Sequence, residues 1–211
     1  MALADNGILG SFTGKVGTVV GVRWRDKNVM RSKPKKTRHA PSEKQLAQRS
    51  KMGLVSSFLK PLRPITDRYF GQPEAGKSRA DLSLSYHLTN ALTGSHPDLS
   101  IDFKKVIVTK GELPGIYGAE IVAEADGRVR LSWFDNSGYA TAKPEDLLLG
   151  IVYNPQKKCF YFAPEIPRCH GGGFLLLPTG WTHDDLQLWL SFVSCDGKSV
   201  ANSIYFGAIE D

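Results

Sequence analysis

Between residues 119 and 210, apolar positions come in short blocks: AEIVAEA, RVRLSWF, LLLGIVYN, CFYFAPE, GFLLLP, LQLWLSFVS and SIYFGAIE. Each block has strand length. Asp126-Gly127, Asn154-Pro155 and Asp196-Gly197 fall between some of them, as hairpin turns require. An eighth block, DFKKVIVTK at 102–110, precedes these seven. Seven strands spaced over about 95 residues predict an antiparallel sandwich.

Before residue 100 the period changes. VVGVRW and NVMRS flank the turn-like RDK, which predicts a hairpin. Residues 31–40 form an arm that Pro34 and Pro41 hold extended. Ser42 suits an N-cap and Gln45 completes a capping box. Leu46, Leu54, Val55, Phe58, Leu59 and Leu62 then make one apolar side until Pro61 and Pro64 end the helix. SRADLSLSYHLTNALTG predicts a second helix with Ser78 as N-cap, Asp81 in its first turn and Gly94 as its stop. The expected fold class is α+β: a basic hairpin and two helices over 1–100, then a seven-stranded antiparallel β-sandwich over 101–211.

A content of 41% hydrophobic residues in 211 suffices for a buried core and excludes wholesale disorder. The net charge of +6 is unevenly placed: residues 1–70 hold 15 Lys and Arg against 4 Asp and Glu, and the remainder 12 against 17. That split points to an anionic partner for the first part, or to attraction between the two. Three cysteines without C-x-x-C spacing indicate neither a disulfide framework nor a zinc site, and reduced thiols imply the cytoplasm. The first residues carry no basic segment before an apolar one, so a secretory signal is not expected. No window reaches the roughly 18–20 apolar residues of a membrane span.

Candidate chemistry is sparse. Gly10, Gly14, Gly17 and Gly21 lack the phosphate-loop pattern, since Val16 follows Gly14-Lys15, and tight turns or close backbone approach explain them. Cys169-His170 are neighbours whose side chains diverge in extended chain. His183-Asp184-Asp185 lacks further metal ligands, and Asp135-Asn136-Ser137-Gly138 lacks the remaining oxygens of a calcium loop. No catalytic residue, cofactor or metal site is assigned.

The basic run is the principal candidate. Arg23, Trp24, Arg25, Arg31, Lys33, Lys35, Lys36 and Arg38 combine cations with an aromatic ring, as polyanion and partner sites do. The alternative is a Trp24 buried in a hairpin core, with the charges solvated or paired to the acidic second part. The loop 135–146, with Asp135, Asn136 and Tyr139, is a second candidate for recognition, or a mere crossover between sheets.

Residues 119–210, with Trp133 ending RVRLSWF, Tyr153 in LLLGIVYN and the penultimate LQLWLSFVS, resemble a fibronectin type III or immunoglobulin-like sandwich. GILGSFTGKVGTVVG with Trp24, NVMRSKPKK, EKQLAQRSKMGLVSSFLKPL, SWFDNSG, IVYNP and NSIYFGAI resemble a bacterial family of uncharacterised, domain-of-unknown-function proteins. The resemblance implies that arm and sandwich belong to one unit and brings no catalytic residue. The expected role is a non-enzymatic interaction or assembly protein of a phage-like or other multi-copy particle, with a protein partner or self-assembly. A nucleic-acid-binding accessory protein is the alternative. No membrane partner is expected.

Overall fold

The computed structural model describes residues 3–4, 10–24, 27–35, 40–74, 76–124, 127–181 and 184–209. The chain divides after Ser42 into two compact units.

The first unit is a four-stranded sheet of β1 (Leu3–Ala4), β2 (Phe12–Val16), β3 (Val19–Trp24) and β4 (Lys27–Ser32), in that order. The expected hairpin is present: β3 and β4 pair antiparallel, with Trp24 opposite Lys27 and Val19 opposite Ser32. Gly17, at φ +57°, turns β2 into β3, a conformation open to glycine at no steric cost. A Cβ on Gly21 would lie 2.2 Å from the Phe12 carbonyl oxygen, so close backbone approach sets the residue type there.

The second unit starts with helices α1 (Glu43–Leu59), α2 (Arg63–Tyr69) and α3 (Arg79–Asn90) and the hairpin β5 (Leu92–Ser95) and β6 (Asp98–Ile101). Seven strands follow: β7 (Glu120–Glu124), β8 (Arg128–Ser132), β9 (Leu147–Asn154), β10 (Cys159–Phe162), β11 (Gly172–Leu176), β12 (Leu186–Val193) and β13 (Ile204–Ile209). They form two antiparallel sheets, one ordered β10-β9-β12-β13 and the other β11-β8-β7.

The four-stranded sheet of this unit is apolar on both sides. Leu148 and Val152 of β9, with Leu186, Leu188, Leu190 and Phe192 of β12, share a core with Val129, Leu131 and Leu175 of the three-stranded sheet. Ile151 and Trp189, on the reverse side, share a second core with Val55, Phe58, Leu59 and Leu62 of the helical segment. Alternating residues of a strand point to opposite faces, so a strand clothed on both sides reads as an unbroken apolar run. LLLGIVYN and LQLWLSFV are such runs.

The helices therefore share a core with the strands, whereas the pattern along the chain suggested a division at residue 100. Three other expectations change. Pro64 does not merely end a helix; it occupies the first turn of α2, where its missing N–H costs nothing, so there are three helices instead of two. The helix after Ser78 has the predicted N-cap, to which Asp81 adds a capping box, but it ends at Asn90, and Gly94 lies in the β5–β6 hairpin at φ +81°. DFKKVIVTK is not one of the named strands: Phe103–Lys105 is one 3₁₀ turn, and the residues beyond it bond to the side chains of Ser203 and Ser191 and, at Lys110, to the backbone of Tyr69 and Gly71. There the Val108 N–H donates to Ser203 Oγ at 2.8 Å and Thr109 Oγ1 to Ser191 Oγ at 2.9 Å. Among the described residues no helix is long and apolar enough to cross a membrane.

Candidate functional site

The sheet of the first unit has almost no interior. Among its described residues only Gly21 is buried. Val16 is 56% exposed, Trp24 57% and Met30 72%, and Val19 and Val29 are exposed as well. Such a sheet gains little from burial and needs a cover to bury its apolar area.

Strand register sorts the side chains onto two faces, since directly opposed residues share a face. Lys15 opposes Val20, which opposes Arg31; Val22 opposes Val29; Trp24 opposes Lys27. One face therefore groups Lys15, Lys27, Arg31 and Trp24 around three valines. The other carries Phe12, Val16, Val19 and Met30, with Arg23 opposite Asn28. With more than half of its surface exposed, Trp24 is not the buried hairpin-core tryptophan of the alternative.

Of the predicted contact residues, Trp24 and Arg31 thus come together and Arg23 points the other way. Lys33, whose N–H donates to the Thr18 carbonyl at 2.8 Å, and Lys35 are exposed just beyond β4. Arg25, Lys36 and Arg38 lie outside the described residues. Lys15 and Lys27 were missed; the period-2 parity of the two hairpins is the signal that finds them.

The unit boundary also sharpens the charge argument. Residues 1–42 hold 9 Lys and Arg against 2 Asp and Glu, a net of +7, while residues 43–211 hold 18 against 19, a net of −1. The larger unit is close to neutral, so it offers no net counter-charge for the smaller one.

The loop 135–146 is tied down by bonds within it and by Arg168 and Gly115 outside it. Asp135 accepts from the Ser137 N–H at 2.9 Å and from its hydroxyl, bonds that hold its carboxyl below the ordinary carboxylate range. Asn136 accepts from Arg168 Nη1 at 2.5 Å and donates to the Gly115 carbonyl at 3.1 Å. Both side chains are thereby occupied in shaping the loop. Tyr139 is exposed, and so are Tyr117 and Phe134, whose rings lie 6.1 Å apart. Cys169 and His170 sit in a 3₁₀ turn, Cys169 exposed and unbridged. Trp181 is buried and His183 lies outside the described residues.

The profile of a family of unknown function, DUF6266, matches residues 11–207 of the chain. Among curated proteins none matches. Two solved structures are similar: the fn3 domain of human collagen alpha-1(XX) chain, at 8% identity and TM-score 0.35, covering 46% of this chain and 84% of that one; and the fn3 domain of human contactin 1, at 6% identity and TM-score 0.32, covering 49% and 83%. Likeness at these scores is too slight to argue from.

Proposed function

The chain belongs to DUF6266, a family of unknown function, and on that premise we propose that it is a non-enzymatic assembly protein whose basic N-terminal sheet contacts further copies of the chain. Residues 43–211 serve as the scaffold, built around a seven-stranded sandwich of fibronectin type III or immunoglobulin type, and the particle is phage-like or otherwise multi-copy. The exposed thiols Cys169 and Cys195 suit a reducing cytoplasm.

One observation carries this reading: Val16, Val19, Trp24, Val29 and Met30 are exposed across both faces of a sheet in which, among the described residues, only Gly21 is buried. Burying them between copies supplies the apolar area that the sheet lacks. The net +7 opposes close approach of like units, but at physiological salt the screening length is about 8 Å, so association strengthens as salt is added. Sedimentation over a range of concentrations tests this. Larger species are expected that grow with concentration and salt and disappear in Met30→Ser/Trp24→Ala. A monomer under all conditions, unaltered by those substitutions, refutes the reading.

The grouping of Lys15, Lys27, Arg31 and Trp24 on one face favours a second reading, a nucleic-acid-binding accessory protein in which bases stack on Trp24. Its salt dependence has the opposite sign. Three phosphate contacts give a slope of log affinity on log salt of about −2 for single strands and about −3 for duplex. Titrating random oligonucleotides at two salt concentrations separates the readings.

A further inference from the structure

The second unit contains a cleft of about 490 Å³ where the α2–α3 connection, residues 110–113 and the turn between β12 and β13 converge. Its size is that of a small-molecule site. Arg68, Arg79, Lys110 and Lys198 line it, against the one carboxylate of Glu112. Among the described residues none of the four cations forms an ion pair within 4.0 Å. Outside the lining, the Asp196 carboxylate attracts Lys198 and also accepts from Ser194 Oγ at 2.6 Å and from the Lys198 N–H at 3.0 Å.

The two arginines are held in place. Arg79 Nε donates to the Gly71 carbonyl at 2.9 Å and its Nη2 to Gln72 Oε1 at 3.2 Å, which orients the guanidinium and leaves Nη1 over. Arg68 lies across the Tyr69 ring, 5.1 Å from its centroid. Lys110 is anchored through its backbone, its N–H donating to the Tyr69 carbonyl at 2.9 Å while its carbonyl accepts from Gly71 at 2.8 Å. Asn202 Oδ1 accepts from the Gly111 N–H at 3.1 Å, so the amide Nδ2 is the end it has to offer a ligand.

We propose that this cleft binds a small ligand carrying an oligophosphate group. Two guanidinium groups match phosphate oxygens in forked geometry and two ammonium groups add point charges, so the set suits an anion of several charges spread over adjacent centres. The site is independent of the sheet reading, because no residue is shared between them.

Isothermal titration of the full chain with pyrophosphate, tripolyphosphate and ADP at physiological salt tests the assignment. Saturable binding at one site per chain is expected. It weakens by about tenfold or more in Lys110→Ala/Lys198→Ala, the loss of one or two charge-assisted hydrogen bonds, and persists in the sheet variant Lys15→Ala/Arg31→Ala. Both lysines are exposed, so the cleft variant retains its fold. Tighter binding of ADP than of pyrophosphate identifies a nucleotide, and equal or weaker binding a bare oligophosphate. The proposal is overturned if none of the three binds saturably, or if binding survives in the cleft variant.

Discussion

Arg168 Nη2 and Asp146 Oδ2 meet 3.3 Å apart with both side chains fully buried. The guanidinium also lies 3.8 Å from the centroid of Phe192 and donates to the Pro114 carbonyl at 2.9 Å. Burial pulls its pKa below the ordinary arginine value, and the carboxylate opposes that pull. Arg168 also donates to Asn136 Oδ1 at 2.5 Å, so its guanidinium links the two ends of the loop 135–146.

Asp146→Ala leaves a buried cation without its counter-charge, and breaking such a pair costs about 3–5 kcal/mol. Urea unfolding is expected to show a loss of that order. Asp146→Leu/Arg168→Met removes both charges and is expected to cost much less; equal losses in the two variants contradict the assignment.

His87 is buried, and its Nδ1–H donates to the Ser83 carbonyl at 2.7 Å. Burial dominates its surroundings and lowers its pKa below the ordinary value of 6.5. The unfolded chain therefore takes up the proton first as pH falls. Stability is unaffected above about pH 6.5 and declines below it, by at most about 1.4 kcal/mol per pH unit, until the folded pKa is reached. His87→Leu should flatten that part of the denaturation profile measured between pH 7.5 and 5; an unchanged profile assigns the titration to another group.

Gly21→Val places a side chain against the Phe12 carbonyl oxygen, which a Cβ would approach to 2.2 Å. The β2–β3 pairing is expected to open. Limited proteolysis should then accelerate within residues 1–42, while the unfolding midpoint of residues 43–211 holds, because the two units are separately compact.

Trp189 is fully buried in the core under the helices, and its Nε1–H donates to the Val106 carbonyl at 3.2 Å. Trp189→Phe keeps most of the ring but strands that carbonyl, at an expected cost of about 1–3 kcal/mol. Calorimetry should show a lowered Tm with one cooperative transition retained for the larger unit.

The strands after residue 119 were legible because each combines a short apolar run with turn residues at its ends, and Ser78 with Asp81 marked the start of α3, though not its end. DFKKVIVTK misled because its composition is strand-like, while the partners of its hydrogen bonds, Ser203, Ser191 and Tyr69 among them, are brought up by tertiary packing that no local pattern reveals. The division at residue 100 failed for a related reason. Unbroken apolarity in β9 and β12 announces two covered faces, but says nothing of which segment supplies the second cover. At the contact sheet, Trp24 and Arg31 were legible as types, yet their common face depends on register. Lys15 joins them only through β2, a strand that Gly14 disguises.

The sheet clothed on both sides imposes an order on synthesis. Phe58 and Leu59 are made about 130 residues before Trp189, the residue they share a core with. At typical translation rates of 5–20 residues per second, that interval is roughly 7–26 s. Throughout it the apolar side of α1 emerges from the ribosome with no sheet to receive it. The growing chain is thus a natural client for chaperones, and its yield in cells will depend on how long it is protected before β12 arrives.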